Sequence, residues 1–111
     1  MANINKVFDD IKDQVGGLAE KDLKDFSCRG KKDAEAFLNQ SRGKLEKWMQ
    51  LLEDKQIDED EFRWLVESQK AAAQMEALRK ANAGTMQIEK FRDSVLQIVV
   101  KVAVTAAIAA I

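Results

Sequence analysis

The chain has no proline and no histidine, one cysteine, five glycines and only 6% aromatic residues in 111 positions. Without proline, no ring geometry interrupts a helix anywhere along it. Without histidine there is no imidazole for acid–base work, no Glu-x-x-His pair for a di-metal carboxylate bundle, and no base to activate Cys28 as a nucleophile. A lone cysteine cannot close an internal disulfide, which argues against a stapled secreted domain. Arg29, Gly30, Lys31 and Lys32 follow Cys28, but without a base the residue reads as a plain unpaired thiol. There is no glycine-rich phosphate loop either. The acidic run Asp58-Glu59-Asp60-Glu61 lacks the alternating loop that wraps calcium. The chain is therefore read as non-enzymatic, with no catalytic residue, no cofactor and no metal site.

What is present is the composition of an all-helical protein, with 33% charged and 46% hydrophobic residues and Ala, Glu, Lys and Leu prominent. The length suits one domain with a modest core. Up to Asp93 there are 17 Lys and Arg against 19 acidic residues, a balance of −2, and Lys101 gives the tail +1. Such near-neutrality gives no electrostatic reason to expect nucleic acid as a partner.

The tail, residues 94–111, breaks the pattern of the rest, because SVLQIVVKVAVTAAIAAI contains one charge and neither Gly nor Pro. As a helix it rises about 27 Å, close to the ~30 Å of a bilayer core, and it is equally suited to the centre of a soluble bundle. Val95, Leu96, Ile98, Val99, Val100, Val102, Val104, Ile108 and Ile111 are its candidate membrane or assembly residues. Asp93, Gln97, Lys101 and Thr105 fall four apart and form one polar stripe. Ala103, Ala106, Ala107 and Ala110 form a close-packing face of small side chains that lets helix backbones approach. Val100, Val102 and Val104 alternate with other residues as in a strand, but the following AAIAAI favours helix.

Before the tail, region 1–93 divides into amphipathic helices at about 4–15, 18–27, 33–53 and 58–82. Asn3 or Asn5 can cap the first, whose seam is Ile4, Phe8, Ile11 and Val15. Gly16-Gly17 then costs about 2 kcal/mol of helix propensity and reads as a hinge. A short piece with Leu18, Leu23 and Phe26 follows, with residues 27–32 a loop and Gly30 its stop signal. Ala34, Phe37, Leu38, Ser41, Leu45, Trp48, Met49 and Leu52 trace one face of the next helix, a core stripe rather than a binding patch. Asp58 with Glu61 reads as a capping box, and Ile57 with Phe62 as a hydrophobic staple. If Gly84 does not interrupt, the chain beyond Asp58 forms a rod of about 50 residues and ~75–80 Å.

The expected fold is all-α: three to four amphipathic helices, as a hairpin or bundle, ending in a long, nearly apolar C-terminal helix. Two functions compete. The first is a membrane-active, self-associating protein that inserts or anchors through its tail, either as an anchor alone or as a small oligomeric pore with the stripe lining a wet lumen. Lys90 and Arg92 would then hold that end on the cytoplasmic side. The second is a soluble homo-oligomeric or filament-forming protein with the tail as buried spine. The expected partners are other copies of the chain and, on the first reading, a lipid bilayer. MANINKVFDDIKDQV has no apolar signal-peptide region, so the expectation is cytoplasmic synthesis, membrane association and, if exported, a signal-independent route.

Overall fold

The computed structural model describes residues 3–110, and these form an all-α protein of five α-helices and two 3-10 turns. In chain order they are α1 (Ile4–Asp22), a 3-10 turn (Lys24–Phe26), α2 (Ser27–Glu53), α3 (Glu59–Glu67), a second 3-10 turn (Lys70–Ala72), α4 (Glu76–Lys80) and α5 (Thr85–Ala110).

Asn3 is the cap of α1, its Oδ1 accepting from the backbone N–H of Asn5 at 3.0 Å and Lys6 at 3.4 Å. The helix does not stop at the glycine pair, so the expected hinge at Gly16-Gly17 is absent and the first two expected helices are largely one. Val15 and Ala19, on either side of the pair, are buried to 2% and 0% exposure. Packing of that stripe outweighs the propensity lost at two glycines. The break comes later, at Lys24, which adopts the left-handed conformation with φ 49°.

α2 then begins at Ser27 and runs straight through Gly30, so the expected loop at 27–32 is the first part of a helix. Gly30 is buried, and a Cβ there would collide with Leu23 Cδ1 and lie 3.2 Å from Phe91 Cζ. Its role is close approach: the corner after α1, the start of α2 and the ring from α5 share one space. α1 and α2 lie antiparallel, joined at their flanks by Lys31–Glu20 at 2.8 Å and Lys12–Glu35 at 4.0 Å. At the far end Arg42 donates to Asn5 Oδ1 and lies 5.3 Å from the Phe8 ring centre.

The turn into α3 has the expected form. Glu61 N–H donates to Asp58 Oδ1 at 2.7 Å, Asp58 N–H donates to Glu61 Oε1 at 3.4 Å, and Phe62 is wholly buried with Ile57 against the same core. The expected helix over 58–82 is not continuous, however. α3 ends at Glu67, and the chain passes through a 3-10 turn and a left-handed Met75 with φ 54° before α4. The reason lies on α2: the Asp33 carboxylate, 8% exposed, accepts from the N–H groups of Ala77 and Leu78, each at 2.9 Å. A carboxylate from a distant helix thus caps α4, while Ala73, Met75 and Leu78 turn into the core. Left-handed Asn82 closes α4, so there is no long rod.

α5 begins at Thr85 and crosses the expected boundary at residue 94 without interruption. It runs antiparallel to α1, with Gln87 Nε2 donating to the Asp22 carbonyl at 3.3 Å, and antiparallel to α3, with Lys70 paired to Asp93 at 3.3 Å. Phe91, Val95 and Val99 fill the centre at 1% exposure or less, alongside Ile11, Leu38, Leu45, Phe62 and Leu78. The whole measures 43 × 23 × 19 Å.

Candidate functional site: the outer face of α5 and its two grooves

α5 divides sharply by side. Val95, Leu96, Val99, Val100, Val102 and Val104 are buried, at between 0% and 8% exposure, by α1, α2 and α3 of the same chain. Ile98 is half-buried, Ile108 is 56% exposed, and Ile111 lies outside the described residues. The polar stripe points the other way. Gln97, Lys101 and Thr105 are exposed, and Asp93 is half-buried between Lys70 and Arg92, whose Nε lies 3.4 Å from Asp93 Oδ1. No carboxylate of the described residues lies within ion-pair distance of Lys101.

The alanine face is split in two. Ala103 and Ala107 are buried at 1% and 0% exposure, where their small side chains allow neighbouring backbones to approach. Ala106 is half-buried and Ala110 exposed, so the expected single face is one packed pair and one pair along a surface groove. At the start of α5, Met86 is 84% exposed, whereas Ile88 and Phe91 are buried.

The stripe forms a ridge between two grooves. Toward α1, Lys6, Val7, Asp10 and Gln14 face Val102, Thr105, Ala106, Ala109 and Ala110 across a space of about 480 Å³. Toward α3 the groove is larger, about 660 Å³, with Leu96, Val100 and Val104 in its lining beside charged groups. Glu59, Arg63, Glu67 and Lys70 form one wall, and Asp93, Gln97, Lys101 and Thr105 the other. These groups come from two separate stretches of the chain, 59–70 and 93–105, and only the antiparallel packing of α3 on α5 brings them together. Sequence periodicity marks the stripe on α5, but the wall on α3 looks like ordinary solvated helix until its neighbour is known.

No group of three or more Cys, Asp or Glu among the described residues could hold a metal ion, and Cys28 is a free, exposed thiol. Away from the grooves, the hydrogen bond from Lys31 holds the Glu20 carboxyl below its ordinary value, and the same bond raises the Lys31 ammonium. α5 is the one described helix long and apolar enough to cross a membrane, with mean hydropathy 1.7 over its most apolar 18-residue window, which is consistent with membrane association. The core helix of a water-soluble bundle has the same length and composition. No protein-family model, curated protein or solved structure matches the chain.

Proposed function

We propose that this chain is a non-enzymatic, self-associating helical protein, water-soluble in the form described, whose apolar C-terminal helix is the spine of its own subunit. The observation that carries this reading is the orientation of α5: its branched aliphatic side chains are covered by α1, α2 and α3, and Gln97, Lys101 and Thr105 face outward. A helix arranged in this way has its hydrophobic burial satisfied within one chain. Contacts with other copies then fall to the outer surface, where Trp64 at 68% exposure, Met86 at 84% and Ile108 at 56% are the large exposed apolar side chains among the described residues.

Bilayer insertion is the second reading, favoured by the 26-residue length and hydropathy of α5. At 1.5 Å per residue the helix reaches about 39 Å, enough to cross with tilt. It requires α1, α2 and α3 to come away first, and several copies would turn Gln97, Lys101 and Thr105 toward a shared lumen, forming a small pore.

Full-length protein prepared without detergent separates the two readings. Sedimentation as a soluble oligomer that stays at the bottom of a liposome flotation gradient is the expected result. Flotation that survives a carbonate wash would transfer the argument to the bilayer reading, and a monomer that ignores liposomes would end both.

A further inference from the structure

We propose that the outer face of α3 is a two-fold interface that pairs one copy of this chain with a second. The inference rests on the self-associating reading above and gives it a surface. Along the wall of the α3–α5 groove, Glu59, Arg63 and Glu67 lie about one helical turn apart on α3 and Lys70 follows in the 3-10 turn after it, so that the four charges alternate in sign. An alternating row with an even number of members is complementary to itself when reversed. Two such rows laid antiparallel about an axis near Leu65 set Arg63 against the second copy's Glu67, and Glu59 against its Lys70. Both contacts occur twice, as an isologous interface requires.

Within the subunit these groups are available. Glu59, Arg63 and Glu67 make no ion pair within 4.0 Å among the described residues, and Lys70 shares a half-exposed contact with Asp93. Registers that place the axis at Arg63 itself would face Glu59 with Glu67 and Arg63 with Arg63, which like-charge repulsion disfavours.

Exposed ion pairs alone give register more than affinity, and Trp64 supplies the apolar part. It sits beside the charged row on α3 with 68% of its surface exposed, next to the proposed axis. Two-fold symmetry brings the two Trp64 residues to about 3 Å apart along the helix direction, two residues at 1.5 Å each.

The test is sedimentation equilibrium of the full chain over a concentration series, with far-UV circular dichroism confirming that each variant keeps its helices. Arg63→Glu turns two attractive contacts into two repulsive ones and is expected to raise the dimer dissociation constant about tenfold or more. Adding Glu67→Arg to Arg63→Glu swaps the order within the row but keeps it self-complementary, and is expected to recover most of the affinity. Trp64→Ala is expected to weaken the dimer about tenfold. In a Trp48→Phe background, the remaining Trp64 fluorescence should shift to the blue as protein concentration rises. A wild-type chain that stays monomeric would overturn both this interface and the self-associating reading. Association that Arg63→Glu leaves untouched would overturn only the interface. A blue shift that appears only on adding anionic phospholipid vesicles would overturn it in favour of a lipid contact.

Discussion

Two parts of the molecule cover α5 by different means. On one side α1 and α2 are long, unbroken helices whose apolar stripes run the length of the spine. On the other, residues 59–80 form two short helices joined by an irregular stretch, held by a capping box at Asp58, a buried Phe62 and Val66, and the Asp33 carboxylate on α4. The first cover spreads its stabilisation over many packed side chains, so no single contact decides whether the helix exists. The second depends on a few point contacts, and each decides a helix end. Local opening should therefore begin in the second cover.

The largest loss of stability is expected where both covers meet the spine. Phe91, 1% exposed and in contact range of Gly30, is expected to cost about 3–5 kcal/mol when changed to Ala, read as a loss of thermal and urea stability of the whole molecule. A change in α4 alone would show that the two covers are independent. Next comes Asp33→Ala, which leaves the buried Leu78 N–H without a partner at a cost of about 1–3 kcal/mol. Amide hydrogen exchange should locate that loss in 73–83 while α1 and α2 keep their protection, and uniform loss would mean that the two covers unfold as one unit.

Gly17→Ala should act in the opposite direction. A Cβ there meets nothing within 4 Å, so the substitution is expected to stabilise α1 by about 0.5–1 kcal/mol in a denaturant melt. Lys101→Met should change stability by less than about 0.5 kcal/mol, because the ammonium is exposed and has no carboxylate within ion-pair distance among the described residues. A large loss would mean that Lys101 holds a contact in the assembled protein. On the bilayer reading, Lys101→Glu would instead invert the ion preference of a channel in planar-membrane recordings.

The smallest effect belongs to the Lys31–Glu20 tie between α1 and α2. The lowered Glu20 carboxyl contributes stability above the ordinary carboxylate range and loses it as pH falls through its folded value. The raised Lys31 contributes fully below the ordinary lysine range and loses it as pH rises through its own raised value. Both groups are open to solvent, so the wild type's small advantage over Glu20→Gln in urea melts should hold at neutral pH and fade toward acid. An advantage that grows in acid would contradict the cause assigned.

Much of the architecture follows from periodicity. The apolar positions of α2 recur every three or four residues, and Ala34, Phe37, Leu38, Ser41, Leu45, Met49 and Leu52 are all buried. The cap at Asn3 and the box at Asp58 are local hydrogen-bonding devices, so their residue types announce them. The stripe on α5 was readable for the same reason, although its direction was not. A row of polar residues on an apolar helix faces water in a soluble bundle and a lumen in a pore, and the difference lies in what covers the other sides.

The sequence by itself determined an all-α chain with a nearly apolar final helix, because composition and periodicity act within a few turns of backbone. Only tertiary structure decided where helices stop. Gly16-Gly17 and Gly30 lie within helices because packing at Val15, Ala19, Leu23 and Phe91 outweighs local propensity. The alanine-rich run after α3 breaks because Asp33, more than forty residues earlier in the chain, binds the N–H groups of Ala77 and Leu78. The outward turn of Lys101 and the charged wall opposite it were settled in the same way, by which helices lie beside α5.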